Sequence, residues 1–185
     1  WQFVNSHGLE LEFIDVTRDF GLDIENLNQI VSADTKLITV THASNVLGTI
    51  NDLGKISKIA HDNGSLFMVD AAQSVPHMPV DVQKLDCDFL VFSGHKMLGP
   101  TGIGVLYARE EHLENMKPFM YGGDMIKEVK LENTTFNDIP WKFEAGTPNI
   151  AGAVGLNSAI TYLKKIGFDK IRKHEIRLTK HALDE

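Results

Sequence analysis

The sequence predicts an α/β fold: a mostly parallel sheet with crossover helices. Three observations carry this reading. Four short apolar runs, at 36–41, 65–69, 89–92 and 103–107, have the length and continuity of strands covered on both faces. Between the first two lies a helical repeat, Leu53, Ile56, Ile59 and Ala60. The chain of 185 residues, 43% hydrophobic and 23% charged, is ordinary for a globular protein and long enough for one large core.

Taken in order, Leu9, Leu11 and Phe13 alternate with Glu10 and Glu12, the period of a half-buried strand. Asp23 is the N-cap of a helix carrying Ile24, Leu27, Ile30 and Val31. After the run at 36–41, a helix starts near Asn51 or Asp52 and stops at Asn63-Gly64, a C-cap pair. The next strand follows at once. Val82 and Leu85 mark a helical turn before the third run. Strand, helix, strand, connection, strand implies parallel pairing, whereas the glycine-rich turn over 94–102 allows the fourth strand to return antiparallel. A short helix runs from Arg109 to about Met116. The polar, Gly-rich stretch 121–149 has weak periodicity and is longer than an idle connection, so it is expected to carry a binding loop. Two helices close the chain, one from Ile150 to Gly167 and one from Phe168 onward. The expected division is residues 1–149 as the main body and 150–185 as helices leading toward a further domain. The first residue is not Met and the last residues stop in mid-helix pattern, so the chain reads as a piece of something longer.

Eighteen basic against 25 acidic side chains give a net charge of −7, the wrong sign for coating a phosphate backbone. Nucleic acid is therefore not expected as a partner. No apolar run reaches the roughly 18 residues that cross a bilayer, and the first residues have no secretion signal. No membrane association is expected. One cysteine, Cys87, can form neither an intramolecular disulfide nor a zinc cage, which fits a reducing compartment and a cytoplasmic location. No metal motif is present: His174-Glu175 lacks the second histidine of a zinc-protease helix.

The chemistry gathers where the central strands stop. Ligands of open α/β sheets bind beyond the carboxyl ends of the strands, and three successive strands end in His42-Ala43-Ser44-Asn45, Asp70-Ala71-Ala72-Gln73-Ser74 and Ser93-Gly94-His95-Lys96. Each member also has a plain structural explanation. Asp70 could serve a turn, Lys96 could be a solvated amine, His42 and His95 could be satisfied loop histidines, and Gln73 could bond a neighbouring peptide group.

Together, these segments resemble the fold-type I pyridoxal 5'-phosphate (PLP) enzymes of the class V aminotransferase family. The resemblance rests on 41–49 (THASNVLGT), 69–74 (VDAAQS), 93–107 (SGHKMLGPTGIGVLY) and 143–149 (FEAGTPN). Within the family it is closest to the SufS-type (group II) cysteine desulfurases and the selenocysteine lyases. It implies that the chain is the central part of a three-layer α/β/α large domain and that the cofactor is PLP. It further implies that Lys96 is the Schiff-base lysine, a role requiring an unprotonated amine and hence burial or a neighbouring cation. Asp70 would pair with the pyridine nitrogen, and Gln73 would donate to the phenolic oxygen. Asn45 would contact the same side or the substrate. Ser93 and Thr147 would hold the phosphate, Thr147 from the other subunit of a homodimer. His95 would position the cofactor and touch the phosphate, and it is expected to point away from Lys96 as neighbours do in an extended segment.

The implied substrate is cysteine, with a sulfur-acceptor protein as partner and iron–sulfur cluster assembly as the destination. The sequence departs from the family in two ways. The nucleophilic cysteine, the substrate-carboxylate arginine, the aromatic or imidazole ring stacked on the cofactor and the Gly-rich phosphate loop do not occur within residues 1–185. Cys87, leading into a core strand, is not a substitute. Lys142 stands where desulfurases often place arginine, and an amine cannot make the same bidentate contact. Two other readings stay open: another class V enzyme such as a selenocysteine lyase, aminotransferase or epimerase, and a folded, non-catalytic module.

Overall fold

The computed structural model describes residues 2–185. A short helix, α1 (Gln2–Ser6), is followed by an irregular stretch to 21. Here the sequence expectation fails. Residues 9–13 are not a strand, because no neighbouring strand pairs with them, and Leu9 and Phe13 are exposed. An alternating pattern becomes a strand only with a partner for its peptide groups.

Helix α2 (Ile24–Ile30) starts as expected at Asp23, whose side chain accepts from the N–H groups of Glu25 and Asn26. Then come β1 (Leu37–Thr41), α3 (Leu53–Asp62), β2 (Leu66–Asp70), the single turn α4 (Val82–Leu85), β3 (Phe89–Ser93) and β4 (Gly104–Ala108). The four strands lie in the order β1-β2-β3-β4. The first three are parallel, and β4 returns antiparallel to β3 with Ser93 opposite Gly104. This is the mostly parallel sheet with crossover helices that the apolar runs predict. Helix α5 (Glu110–Asn115) follows. Within 121–149, the weakly periodic segment expected to carry a binding loop, a two-stranded hairpin forms from β5 (Ile126–Val129) and β6 (Thr134–Phe136). Charged residues interrupt its apolar pattern, which hid it from the period count. Helices α6 (Ile150–Ile166) and α7 (Phe168–Asp184) end the chain and meet at Gly167, whose φ of +87° suits glycine.

The main core joins Leu27 of α2 and Leu53, Ile56 and Ala60 of α3 to Ile38, Val40, Phe67, Val69 and Leu90 of the sheet. A second cluster sets Leu156 and Leu163 of α6 against Met97. Since successive side chains of a strand alternate, these contacts fill one face of the sheet. The other face carries Thr41, Met68, Asp70, Val91, Ser93 and Leu106, none of which joins either core cluster.

At the start of β3 the buried carboxylate of Asp88 ties several elements together. One of its oxygens accepts from the Phe67 N–H (2.7 Å) and lies 3.0 Å from His61 Nε2 of α3. The other lies 2.9 Å from His112 Nε2 of α5 and 3.3 Å from Arg109 Nε. Burial alone would push this carboxyl up, but the bonds from His112, the Phe67 N–H and His61, with the Arg109 charge, outweigh it and hold the group below its usual range.

Candidate functional site

In the parallel pairing, Thr41 stands opposite Asp70 and Asp70 opposite Val91. The carboxyl ends of β1, β2 and β3 therefore share one sheet edge. One more backbone bond continues each ladder: the His42 N–H donates to the Asp70 carbonyl (2.9 Å), and the Ala71 N–H to the Val91 carbonyl (2.9 Å). Alternation then puts the side chains of Asp70 and Ser93 on the face away from the core, with His42 on the core side beside Val40 and Val69.

Asp70 is exposed, and one carboxylate oxygen accepts from the Ala72 N–H (2.9 Å). Its second oxygen has no partner among the described residues, so it can accept from a ligand. Gln73, half-buried, lies in the turn opened by the Ser74 and Val75 N–H groups, which both donate to the Ala71 carbonyl. Ser93 ends β3 half-buried, and its hydroxyl does not cap the turn that follows. That turn, Gly94–Met97, is 3-10 and not extended, so His95 and Lys96 stand about a third of a turn apart. Both are exposed. The burial that an unprotonated Lys96 calls for is thus not supplied by the described residues.

The lysine turn is held tightly from behind. The Gly94 N–H donates to the Ile103 carbonyl (2.8 Å), and the Gly99 N–H to the Gly94 carbonyl (2.9 Å). A Cβ at Gly94 would come within 2.8 Å of Ile103 Cγ2, and one at Gly104 within 2.8 Å of the Phe92 carbonyl oxygen. Only glycine lets these backbones approach so closely. Met97 is the buried anchor of the turn.

Asn45 is exposed on a loop that the Ser44 hydroxyl shapes by accepting from the Val46 and Leu47 N–H groups, both at 3.2 Å. Thr147 is exposed on the segment between Gly146 and α6. The fold therefore brings Asp70, Gln73, Ser93, His95, Lys96 and the Asn45 loop to one edge, whereas Thr147 lies on a separate segment before α6.

Three features escaped the sequence reading. His42 is not a satisfied loop histidine: its ring is buried and Nδ1 has no hydrogen-bond partner. Burial pushes this imidazole below its ordinary pKa, which favours the neutral form. Lys142 is engaged with backbone carbonyls. Its amine donates to the carbonyls of Leu113 (2.9 Å) and Glu114 (2.8 Å) at the end of α5, a C-capping task that a point-like ammonium does well. Asn149 bonds Gly102 across the fold. Neither the Lys142 nor the Asn149 contact has a local sequence signal, since each joins residues distant along the chain. Cys87 is buried, and burial pushes its thiol up, away from thiolate character. Among the described residues no helix is long and apolar enough to cross a membrane.

Relatives and solved structures share this architecture. A probable cysteine desulfurase of Halalkalibacterium halodurans is 51% identical over 185 residues, covering 100% of this chain and 46% of that protein. The apo structure of a cysteine desulfurase from Thermococcus onnurineus NA1 superposes with a TM-score of 0.93 at 45% identity, covering 100% of this chain and 46% of that one. A structure of SspA in complex with cysteine aligns over 88% of this chain and 43% of its own, with a TM-score of 0.74 and 28% identity. The chain thus spans just under half the length of the relatives it matches. The Aminotransferase class-V family model matches residues 1–185, and with the strand order and the lysine turn described above the chain belongs to the class-V aminotransferase family.

Proposed function

We propose that this chain is the cofactor-holding portion of a PLP-dependent cysteine desulfurase, which converts L-cysteine to L-alanine and passes the sulfur to a cysteine thiol as a persulfide. The observation that carries the reading is the parallel pairing of β2 with β3, which sets the Asp70 carboxylate and the Lys96 turn at one sheet edge. The names of the relatives at 51% and 45% identity and the cysteine complex of SspA support the substrate class.

The residues at the edge fit PLP by their donor and acceptor chemistry. Asp70 offers a free carboxylate oxygen to a protonated ring nitrogen, a charge-assisted bond of about 1.5–3 kcal/mol. The Ser93 hydroxyl, uncommitted to capping, suits a phosphate oxygen, with His95 beside it. Gln73 and Asn45 would supply amides for the phenolic oxygen and the substrate side, and the Lys96 amine would be the attachment point for the aldehyde carbon. Thr147 serves the phosphate of a second copy in a homodimer. Bound PLP supplies the electron sink that makes the substrate's Cα–H and C–S bonds labile. The sulfur-accepting cysteine belongs to the parent protein outside residues 1–185, since Cys87 is buried and burial pushes its thiol up. Helices α6 and α7 lead toward a second domain. A SufS-like role in iron–sulfur assembly, with a sulfur-acceptor protein in the cytoplasm, completes the reading.

One observation favours a second reading for the chain on its own. Asp70, His95, Lys96 and Asn45 are all exposed, so residues 1–185 form the bed of the site and not an enclosed one. By itself the chain then behaves as a folded module without desulfurase turnover. Mixing it with PLP and recording visible absorbance, with borohydride trapping and peptide mass analysis, tests the assignment. A band and a trapped adduct at Lys96, both lost in Lys96→Ala, are expected. An identical spectrum for the variant overturns it.

A further inference from the structure

The turn that carries Lys96 is fastened to α6 at three points. Met97 packs in the cluster of Leu156 and Leu163. Pro100 lies so close to Gly155 that a Cβ there would come within 2.4 Å of Pro100 Cγ. The third point is polar: Asn149 Nδ2 donates to the Gly102 carbonyl at 3.1 Å, across 47 residues of sequence. The same side chain caps α6, its Oδ1 accepting from the Gly152 N–H at 2.9 Å. Gly152 has no room for a side chain, because a Cβ would stand 2.5 Å from Asn149 Nδ2. Gly102 itself sits at a φ of +74°, so the carbonyl that Asn149 holds belongs to the reversal between the lysine turn and β4.

The amide therefore spends both ends on different elements. Its oxygen closes the first turn of a 17-residue helix, and its nitrogen grips the loop that leads away from Lys96. Thr147 lies two residues before it. From this juxtaposition we propose that Asn149 is a positioning residue that locks the Lys96 turn and the segment carrying Thr147 into one body. The assignment of Lys96 and Thr147 to a cofactor site rests on the function proposed above, whereas the lock rests on the two Asn149 bonds.

Asn149→Asp separates the two tasks. It keeps the acceptor that caps the helix and removes the donor to Gly102. Asn149→Ser, also a good cap and uncharged, controls for repulsion between a carboxylate and the Gly102 carbonyl. Amide hydrogen exchange of the chain, with folding checked by circular dichroism, gives the readout. In both variants the Gly94 and Gly99 amides are expected to exchange about fivefold faster, the size of one lost hydrogen bond. The Gly152 and Ala153 amides, which report the cap, are expected to be unchanged. Unchanged exchange at Gly94 and Gly99, or equal acceleration at both places, overturns the proposal, because a cap-only residue gives the first and general loosening gives the second. Failure of PLP to react with Lys96 would sink the function and leave this exchange pattern standing.

Discussion

The backbone N–H of His42 donates to the carbonyl oxygen of Asp70 at 2.9 Å, one residue past the last paired position of β1, while their side chains leave the sheet on opposite faces. The bond fixes the exposed carboxylate and the buried imidazole in one rigid junction. In the proposed function, a carboxylate that pairs with a ligand would gain from this, since its backbone is already ordered.

The His42 ring sets a pH dependence. Burial lowers its pKa in the folded state, so the unfolded chain binds the proton more readily. Stability is intact above the unfolded value of about 6.5 and is lost as the pH falls below it, by at most about 1.4 kcal/mol per pH unit for one group. His42→Leu removes both the titration and the unpartnered Nδ1. Urea denaturation is expected to show the variant more stable by about 1 kcal/mol at pH 7.5, with the gap wider at pH 5.5. A gap that does not widen on acidification contradicts this account.

Asp88 acts with the opposite acid–base sense to a buried base but the same direction in pH. Its carboxyl is held below the usual range, so its contribution is present above about pH 4 and is lost as the pH falls through the lowered folded value. Replacing it by Asn leaves Arg109, His61 and His112 around a neutral amide that cannot accept from all of them. Asp88→Asn is expected to cost about 3 kcal/mol at pH 7 and to flatten the acid limb of the stability curve. Equal stabilities at pH 7 would remove Asp88 from its central place in the packing.

Lys142 offers a separable test of helix capping. Lys142→Met keeps the aliphatic stem and removes the bonds to the Leu113 and Glu114 carbonyls, so a loss of about 1 kcal/mol in thermal or urea unfolding is expected. Lys142→Arg, which still offers donors, is expected to lose less than half of that. A Met variant as stable as the parent would show that water replaces the amine without cost.

The sheet was readable because its strands are continuous apolar runs and its helices begin and end on strong local signals, such as Asp23 before α2 and Asn63-Gly64 after α3. The expected strand around Leu11 failed because alternation specifies a face but not a partner. The β5–β6 hairpin was missed for the converse reason, since its cross-strand bonds exist without an apolar stripe to announce them. For the candidate site, the placement of Asp70, Gln73, Ser93 and Lys96 at one edge was legible because β2 and β3 deliver them there in sequence order. Asn149 and Lys142 were not, because their partners lie 47 and about 28 residues away and are backbone carbonyls, which every residue has.

Asp88 and Ser93 bracket the same strand, one at each rim of the sheet. Five residues of extended chain separate them by about 16 Å. Cohesion is concentrated at the rim of Asp88, where three cationic or imidazole side chains converge, whereas at the other rim one Asp70 oxygen has no partner among the described residues. Such a division of labour leaves the second rim free to diversify: its side chains can be exchanged with little penalty to folding, provided the glycines behind the Lys96 turn stay.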